Sequence, residues 1–446
     1  MTKPGRSQIE IAAQLLLQGD IDALWRKGLS RLTGLPVALP ATLKPLPRPA
    51  GISTHAGKDG SAPRIWMVGS SLNRDGAPLS QLELAVGLAG LPYTLEVLSP
   101  VDGPLRAKYA AAGIAVRIVP ELRCSPAVYS WYEDDVASLR AKIDAGQPDL
   151  IFASTIDNFA VIDAARMAGV PTIWNIRESE AWPIRLADRH TKIARRALAC
   201  LGYSEALVFV ADAARRAWSG FAPSQRSHVI YNAPSPALIE AASSVKDNAG
   251  VRRDLGAQPG DTLIVHVGTI CERKGQVDLA SALANLPEET LHKLRIAFIG
   301  GGEGDYPDRV RAALGPAVSR TIFAGESETA AAQIAAADIL VNTSRSEAFP
   351  RTFIEAGIGH TAIIATEIDG TTERLKDQTS ALLYTAGDAA SLTRHLAALA
   401  EAPQDIARLA DGAHDALVRS WTYADMLSAY ARQIDEALVE HARAVQ

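Results

Sequence analysis

The sequence predicts an α/β protein made of two doubly wound parallel-sheet domains, and three observations carry that expectation. Short apolar runs alternate with helical patterns from Arg64 to Tyr231. The alternation pauses around Asn232–Pro236. It then resumes at Leu263 and continues to Tyr384. Strands alternating with helices build a parallel sheet covered on both faces. At 446 residues the chain is long enough for two such domains and an extra segment. The expected divisions are a helical extension with a Pro-rich linker over 1–60, a first domain over 61–235, a second over 236–420 and a C-terminal helix over 421–446.

Composition narrows the class. The chain is 48% hydrophobic and 21% charged, which is globular rather than disordered. A net charge of −5 carries no overall nucleic-acid signature. The three cysteines, Cys124, Cys200 and Cys271, are scattered and fit neither a disulfide framework nor a zinc spacing, so a reducing compartment is expected. No apolar run reaches transmembrane length and the N-terminus lacks a hydrophobic signal core, so a cytoplasmic protein is expected.

In chain order, Ser7-Gln8-Ile9-Glu10 is a capping box for a first short helix, and Asp20 can cap a second that carries Leu24, Trp25, Leu29 and Leu32. That pair reads as an extension packed on its own domain, or as a docking element. Pro36 to Pro49 and then Gly51 to Gly60 form a linker, stiff first and flexible later. The first domain should hold strands near 64–69, 94–98, 114–119, 150–153, 172–176, 198–203 and 228–231. A helix is expected near 183–197 and another capped by Ser204. The second domain should hold strands near 263–267, 296–299, 321–323, 339–341, 362–365 and 381–384. Asp388 should cap a helix through Leu399, and a last long helix should run from about Tyr423 to Ala442. A ligand cleft between two such domains is the default expectation.

The stretch Ile339–Gly357 concentrates the chemistry. An apolar strand is followed by the polar loop Asn342–Phe349 and then a helix. Pro350 suits its first position, and Gly357 and Gly359 should end it. A helix beginning at the carboxyl edge of a parallel sheet stands where doubly wound folds bind ligands, and its free N–H groups favour a phosphate. Glu347 lies in the loop and Glu355 in the helix. Eight helical positions leave them about 80° apart, so they read as two tasks rather than a paired acid and base. Glu355 leans back toward the helix start, where it could accept from two hydroxyls beside a phosphate. The plainer alternative pairs Glu355 with Arg351 and leaves Glu347 solvated.

Three further loops should share that edge. Gly268–Gly275 carries adjacent Arg273 and Lys274, a planar fork and a point charge for phosphate oxygens. Gly300-Gly-Gly-Glu-Gly304 lacks the dinucleotide spacing and reads as a tight crossing. Ala324-Gly325-Glu326 could present backbone groups to a base.

These motifs resemble the donor half of the retaining GT-B glycosyltransferases of family 4. The residues that match are Ser344, Glu347, Glu355 and Ala356, then Gly268, Lys274 and Gly275, then Asp369, Gly370 and Glu373. The resemblance implies that Arg273 and Lys274 hold the diphosphate of a nucleotide-sugar, the donor substrate, and that Glu355 binds the ribose. It implies that Glu347 contacts the donor sugar. Backbone groups of Phe349, Pro350, Arg351 and Thr352 would neutralise the leaving phosphate, with Ser346, Gly268 and Glu326 also donor-binding. Gly76 would let the first domain approach the phosphates. No metal and no other cofactor is expected, because the cations answer the phosphate charge. The chain departs from the pattern at Thr269, often basic in the family, and at Asn232-Ala233 in place of Asn-Gly. It departs again at Asn175-Ile-Arg177-Glu178, where many members have a His, which makes Arg177 and Glu178 the acceptor-side candidates. The implied reaction is sugar transfer with retention to a glycan, lipid-linked or small-molecule acceptor in cell-surface glycan synthesis. The alternatives are a non-catalytic sugar-nucleotide-binding module and a phosphorylase or epimerase on the same fold. The basic residues Arg185, Arg189, His190, Lys192, Arg195 and Arg196 form either a solvated or paired helix face or a contact for anionic lipid at the membrane inner face.

Overall fold

Every strand ladder among the described residues is parallel, which is why the strands read as continuous apolar runs rather than alternating ones. The structure is a computed structural model and describes residues 61–123, 127–180, 182–243 and 248–445. The helical extension and linker expected over 1–60 lie outside those residues, as does Cys124.

The chain divides into two units. One comprises the residues up to Val210, 214–230 and 429 onward; the other comprises 211–213 and 231–428. In the first unit β1 (Arg64–Val68), β2 (Thr94–Ser99), β3 (Ala115–Ile118), β4 (Leu150–Ser154), β5 (Thr172–Ile176), β6 (Ala206–Phe209) and β7 (Ser227–Val229) form a seven-stranded sheet in the order β3-β2-β1-β4-β5-β6-β7. In the second, β8 (Thr262–Val267), β9 (Leu294–Ile299), β10 (Thr321–Gly325), β11 (Ile339–Asn342), β12 (Ala362–Thr366) and β13 (Leu382–Tyr384) form a six-stranded sheet in the order β10-β9-β8-β11-β12-β13. Each order reverses once, between β1 and β4 and between β8 and β11, which makes each unit doubly wound.

In the second sheet successive residues go to opposite faces and both faces are buried. Ile264, Ile296, Ile339, Val341 and Ile364 pack on one side with Leu279, Leu283 and Leu396. Leu263, Val265, Leu340, Ile363 and Ala365 pack on the other with Phe353, Ile354 and Leu417. The helix Ala389–Glu401 starts as expected, with the Asp388 side chain accepting from Ser391 N.

Among the described residues, the strand expectation fails in one region. Residues 198–203 do not form a strand. They are the end of the helix Thr191–Leu201, with Gly202 after it, and the strand is β6, four residues past that glycine. Two adjacent apolar runs compete there, Leu198–Leu201 and Ala206–Phe209. The first is buried as the inner face of a helix together with Ile193, Ala194 and Ala197. Ser204 accordingly caps no helix, and the basic stretch is split into Trp182–Arg185 and Thr191–Leu201. The long helix Tyr423–Val445 is present. Its Tyr430 lies edge-on to Phe152 at 5.8 Å and its hydroxyl accepts from Asn175 Nδ2 at 3.2 Å.

Three helices of the first unit meet at one carboxylate. Asp163, fully buried, accepts from the Tyr132 hydroxyl at 2.9 Å, from Arg166 Nε at 3.1 Å and from Arg196 Nε at 2.6 Å. Removing one partner from a buried charge cluster strands the others. Asp163→Ala is therefore expected to destabilise the first unit by about 3–5 kcal/mol, read by chemical denaturation.

Candidate active site

The loops after β8 and β11 leave the second sheet on either side of its switch point, because these two strands are neighbours there. Backbone contacts then lock them together. Arg345 N donates to Arg273 O at 2.8 Å, and the Thr343 hydroxyl donates to Lys274 O at 2.6 Å. Gly275 has φ +67°, and a Cβ on it would stand 2.3 Å from Thr343 O, so only glycine permits this approach. Gln276, wholly buried, supports the same loop. Its Nε2 donates to Thr269 O at 2.9 Å, and its Oε1 accepts from Cys271 N at 3.3 Å.

Three of the predicted residues come together at the centre. Arg273 Nη1 donates to Glu347 Oε1 at 2.9 Å, and Lys274 Nζ pairs with the same oxygen. The Ser344 hydroxyl lies 3.4 Å from it, and Arg273 Nη1 also donates to Ser346 O at 3.2 Å. The side chains of Lys274 and Glu347 are each 15% exposed, against 46% for Arg273. Glu347 is thus not a solvated loop residue. Burial pushes its carboxyl up, but Lys274 and Arg273 outweigh that, and it is held below the ordinary carboxylate value. Beneath the cluster His266 is buried and faces the Thr343 hydroxyl through Nε2 at 3.0 Å. Burial and the Lys274 charge push its pKa down to about 3, so it is neutral.

The helix of the motif runs Arg351–Ile358, with Pro350 as its N-cap residue rather than its first helical residue, and no side chain caps that end. Phe349 is buried against Tyr231 and Phe353, with ring centroids 6.0 and 6.2 Å away. This fixes the entry of the chain and leaves the first-turn amides of Arg351 and Thr352 at the helix N-terminus. Gly359 ends the helix; Gly357 does not, and is buried within it beside Leu417 and Val418. Arg351 Nε donates to Glu355 Oε1 at 2.9 Å, so the ion pair raised as the plainer alternative is present. Gly268, at φ +136°, has the Lys274 stem beside it, and Glu326 lies over Gly301 in the glycine-rich turn.

The other predicted residues belong to the first unit. Gly76 begins the helix Gly76–Leu88 and is exposed, and a Cβ there would meet nothing within 4 Å, so the fold of this unit does not demand glycine. Glu178 Oε2 accepts from the amides of Ile156 and Arg177, each at 3.0 Å. Burial raises its carboxyl despite the Arg185 charge, and its contacts are those of a loop clamp.

Sequence reasoning gave no role to two acids of the Asp369-Gly370-Glu373 turn. Asp369 Oδ2 accepts from Glu347 N at 2.9 Å and from the Ser346 hydroxyl at 3.2 Å. Glu373 accepts from the amides of Asp212 and Ala213 and from the Tyr231 hydroxyl at 2.6–2.7 Å. The spacing of the motif was visible, but nothing in it says which backbone groups the acids would meet.

Two family profiles match, Glycosyltransferase Family 4 over residues 74–236 and Glycosyl transferases group 1 over residues 261–402. The chain belongs to this glycosyltransferase family. Among curated relatives, a D-inositol 3-phosphate glycosyltransferase of Segniliparus rotundus is 28% identical over 35% of this chain and 36% of its own length. The lipopolysaccharide core biosynthesis glycosyltransferase LpsE of Rhizobium meliloti is 27% identical over 39% and 49%. The chain thus spans less than half the length of the curated relatives it matches. The fold is GT-B. Anabaena HepE, solved in complex with UDP and glucose, superposes with a TM-score of 0.70 at 20% identity, covering 83% of this chain and 99% of its own. WaaG, a glycosyltransferase involved in lipopolysaccharide biosynthesis, gives 0.63 at 15% identity over 84% and 99%.

The cluster has a pH signature. Because the folded pKa of Glu347 is depressed, its stabilising contribution is complete above the unfolded value of about 4.3 and is lost as pH falls through the lower folded value. In chemical denaturation over a pH series, the stability difference between wild type and Glu347→Gln should stay constant above that point and shrink below it.

Proposed function

We propose that the chain is a retaining glycosyltransferase that moves a sugar from a nucleotide-diphosphate sugar to an acceptor hydroxyl. The observation that carries this reading is the meeting of Arg273, Lys274 and Glu347 at the switch point of the second sheet, together with the uncapped helix start at Pro350. Breaking a sugar–phosphate bond develops negative charge on the phosphate and positive charge on the sugar. Two fixed cations and a helix N-terminus answer the first without metal, by electrostatics organised in advance. A carboxylate beside them answers the second. In this reading Glu355, oriented by Arg351, takes the ribose, Glu347 takes the sugar, and the leaving phosphate accepts the acceptor proton on the same face. The HepE complexes with UDP and UDP-glucose support a uridine donor, and the kinship with LpsE and WaaG supports a cell-surface glycan or glycolipid as acceptor.

Lys274→Ala and Arg273→Ala should each weaken nucleoside-diphosphate binding by about ten- to a hundredfold, the loss of a charge-assisted hydrogen bond, in calorimetry with UDP. Glu355→Gln should lose affinity for the bare nucleotide, whereas Glu347→Gln should lose none of it and should lose discrimination of the sugar. Equal losses in both would contradict that division. Release of nucleoside diphosphate only when acceptor is present separates transfer from a phosphorylase or epimerase.

The basic run of the first unit is largely occupied. Arg185 and Arg189 pair with Asp157, and Arg196 with Asp163, while Lys192 and Arg195 are exposed. With half the run held in ion pairs, the reading we adopt is the paired and solvated helix face rather than a lipid contact. Vesicles of anionic lipid at low salt should fail to float the protein. Flotation abolished by Lys192→Ala with Arg195→Ala would reverse that reading.

A further inference from the structure

The end of β12 and the turn after it grip the Glu347 loop at successive points. The Thr366 hydroxyl donates to Ser344 O at 2.7 Å. Asp369 Oδ2 then takes the Ser346 hydroxyl and the Glu347 amide at 3.2 and 2.9 Å. Gly370 comes next, so close beneath Ala348 O that a Cβ would stand 1.8 Å from it. The cations hold the Glu347 side chain, while this turn holds its backbone. Asp369 itself adopts φ +41°, a left-handed conformation that glycine would take at less cost. A turn needing only that conformation gains nothing from a carboxylate. The carboxylate is explained by the two donors it satisfies.

We infer that Asp369 is a positioning residue, whose carboxylate fixes the Ser346–Glu347 backbone so that the Glu347 carboxylate is registered against Arg273 and Lys274. This rests on the reading of those cations as the diphosphate site. In the ligand-free protein Glu347 competes with any incoming anion for the same N–H groups. Loosening its anchor therefore weakens the competitor.

The test is calorimetric titration of the full chain with inorganic pyrophosphate at low ionic strength. Asp369→Gly should bind pyrophosphate about three- to tenfold more tightly than Asp369→Asn. Both variants lose the same charge, and only Asn keeps an acceptor oxygen, so the difference between them isolates positioning from electrostatics. In the Glu347→Gln background the difference between Gly and Asn at 369 should vanish. If Asp369→Gly does not fold, Asp369→Ser, with an acceptor too short to reach both donors, takes its place. Equal affinities for Gly and Asn in the wild-type background, or a difference of the same size with Glu347→Gln present, overturn the inference and leave the donor site standing. A Lys274→Ala protein that binds pyrophosphate as well as wild type removes the donor-site reading, and the inference with it.

Discussion

The second unit depends on one largely buried carboxylate and the two cations that share its oxygen. A charged group at 15% exposure persists only if its partners compensate for lost hydration. The surrounding structure is arranged to keep those partners in place. Gln276, Thr343 and the glycine at 275 fix the loop that brings Arg273 and Lys274. Thr366, Asp369 and Gly370 fix the loop that brings Glu347. The topology makes this meeting inevitable, since β8 and β11 are adjacent and both loops leave at the same edge. Loops on neighbouring strands that leave in the same direction must either repel or complement each other, and these complement.

Much of this was legible in the sequence, for identifiable reasons. The inner strands of the second unit are buried on both faces, so their centres are apolar runs such as Leu263–Val265, Ile339–Val341 and Ala362–Ala365, and glycine or polar punctuation isolates them from their helices. Asp388 was readable as a cap because capping is local chemistry. The segment from Leu198 to Phe209 was not legible, because a buried helix face and a central strand have the same composition over four or five residues and only the sheet distinguishes them. The cluster itself was half legible. The positions of Arg273, Lys274 and Glu347 followed from strand–loop–helix order. Their mutual contact did not, because long-range pairing depends on strand order. The work of Asp369 and Glu373 was invisible, because both act on backbone amides, which leave no trace in the spelling of the partner segment.

The neutral histidine beneath the cluster bears on how the site responds to its surroundings. His266 carries no charge through the physiological range, so the scaffold under Lys274 does not change protonation when the medium does. An acid response of these loops then comes from their carboxylates, Glu347 and the Arg345-paired Asp278, and not from His266.

The helix Tyr423–Val445 has a consequence for the order of events in synthesis. Its residues from 429 onward belong to the first unit, yet they leave the ribosome after the whole of the second. Domains emerging from a ribosome ordinarily fold as they appear. Here the first unit must wait, with the surface around Phe152 and Asn175 lacking the Tyr430 side chain, while about two hundred further residues are made and folded. The second unit can be finished earlier than the first. A nascent chain stalled before residue 429 would hold a complete second unit and an unfinished first one, exposed to chaperones and proteases for the time translation takes to deliver the missing helix.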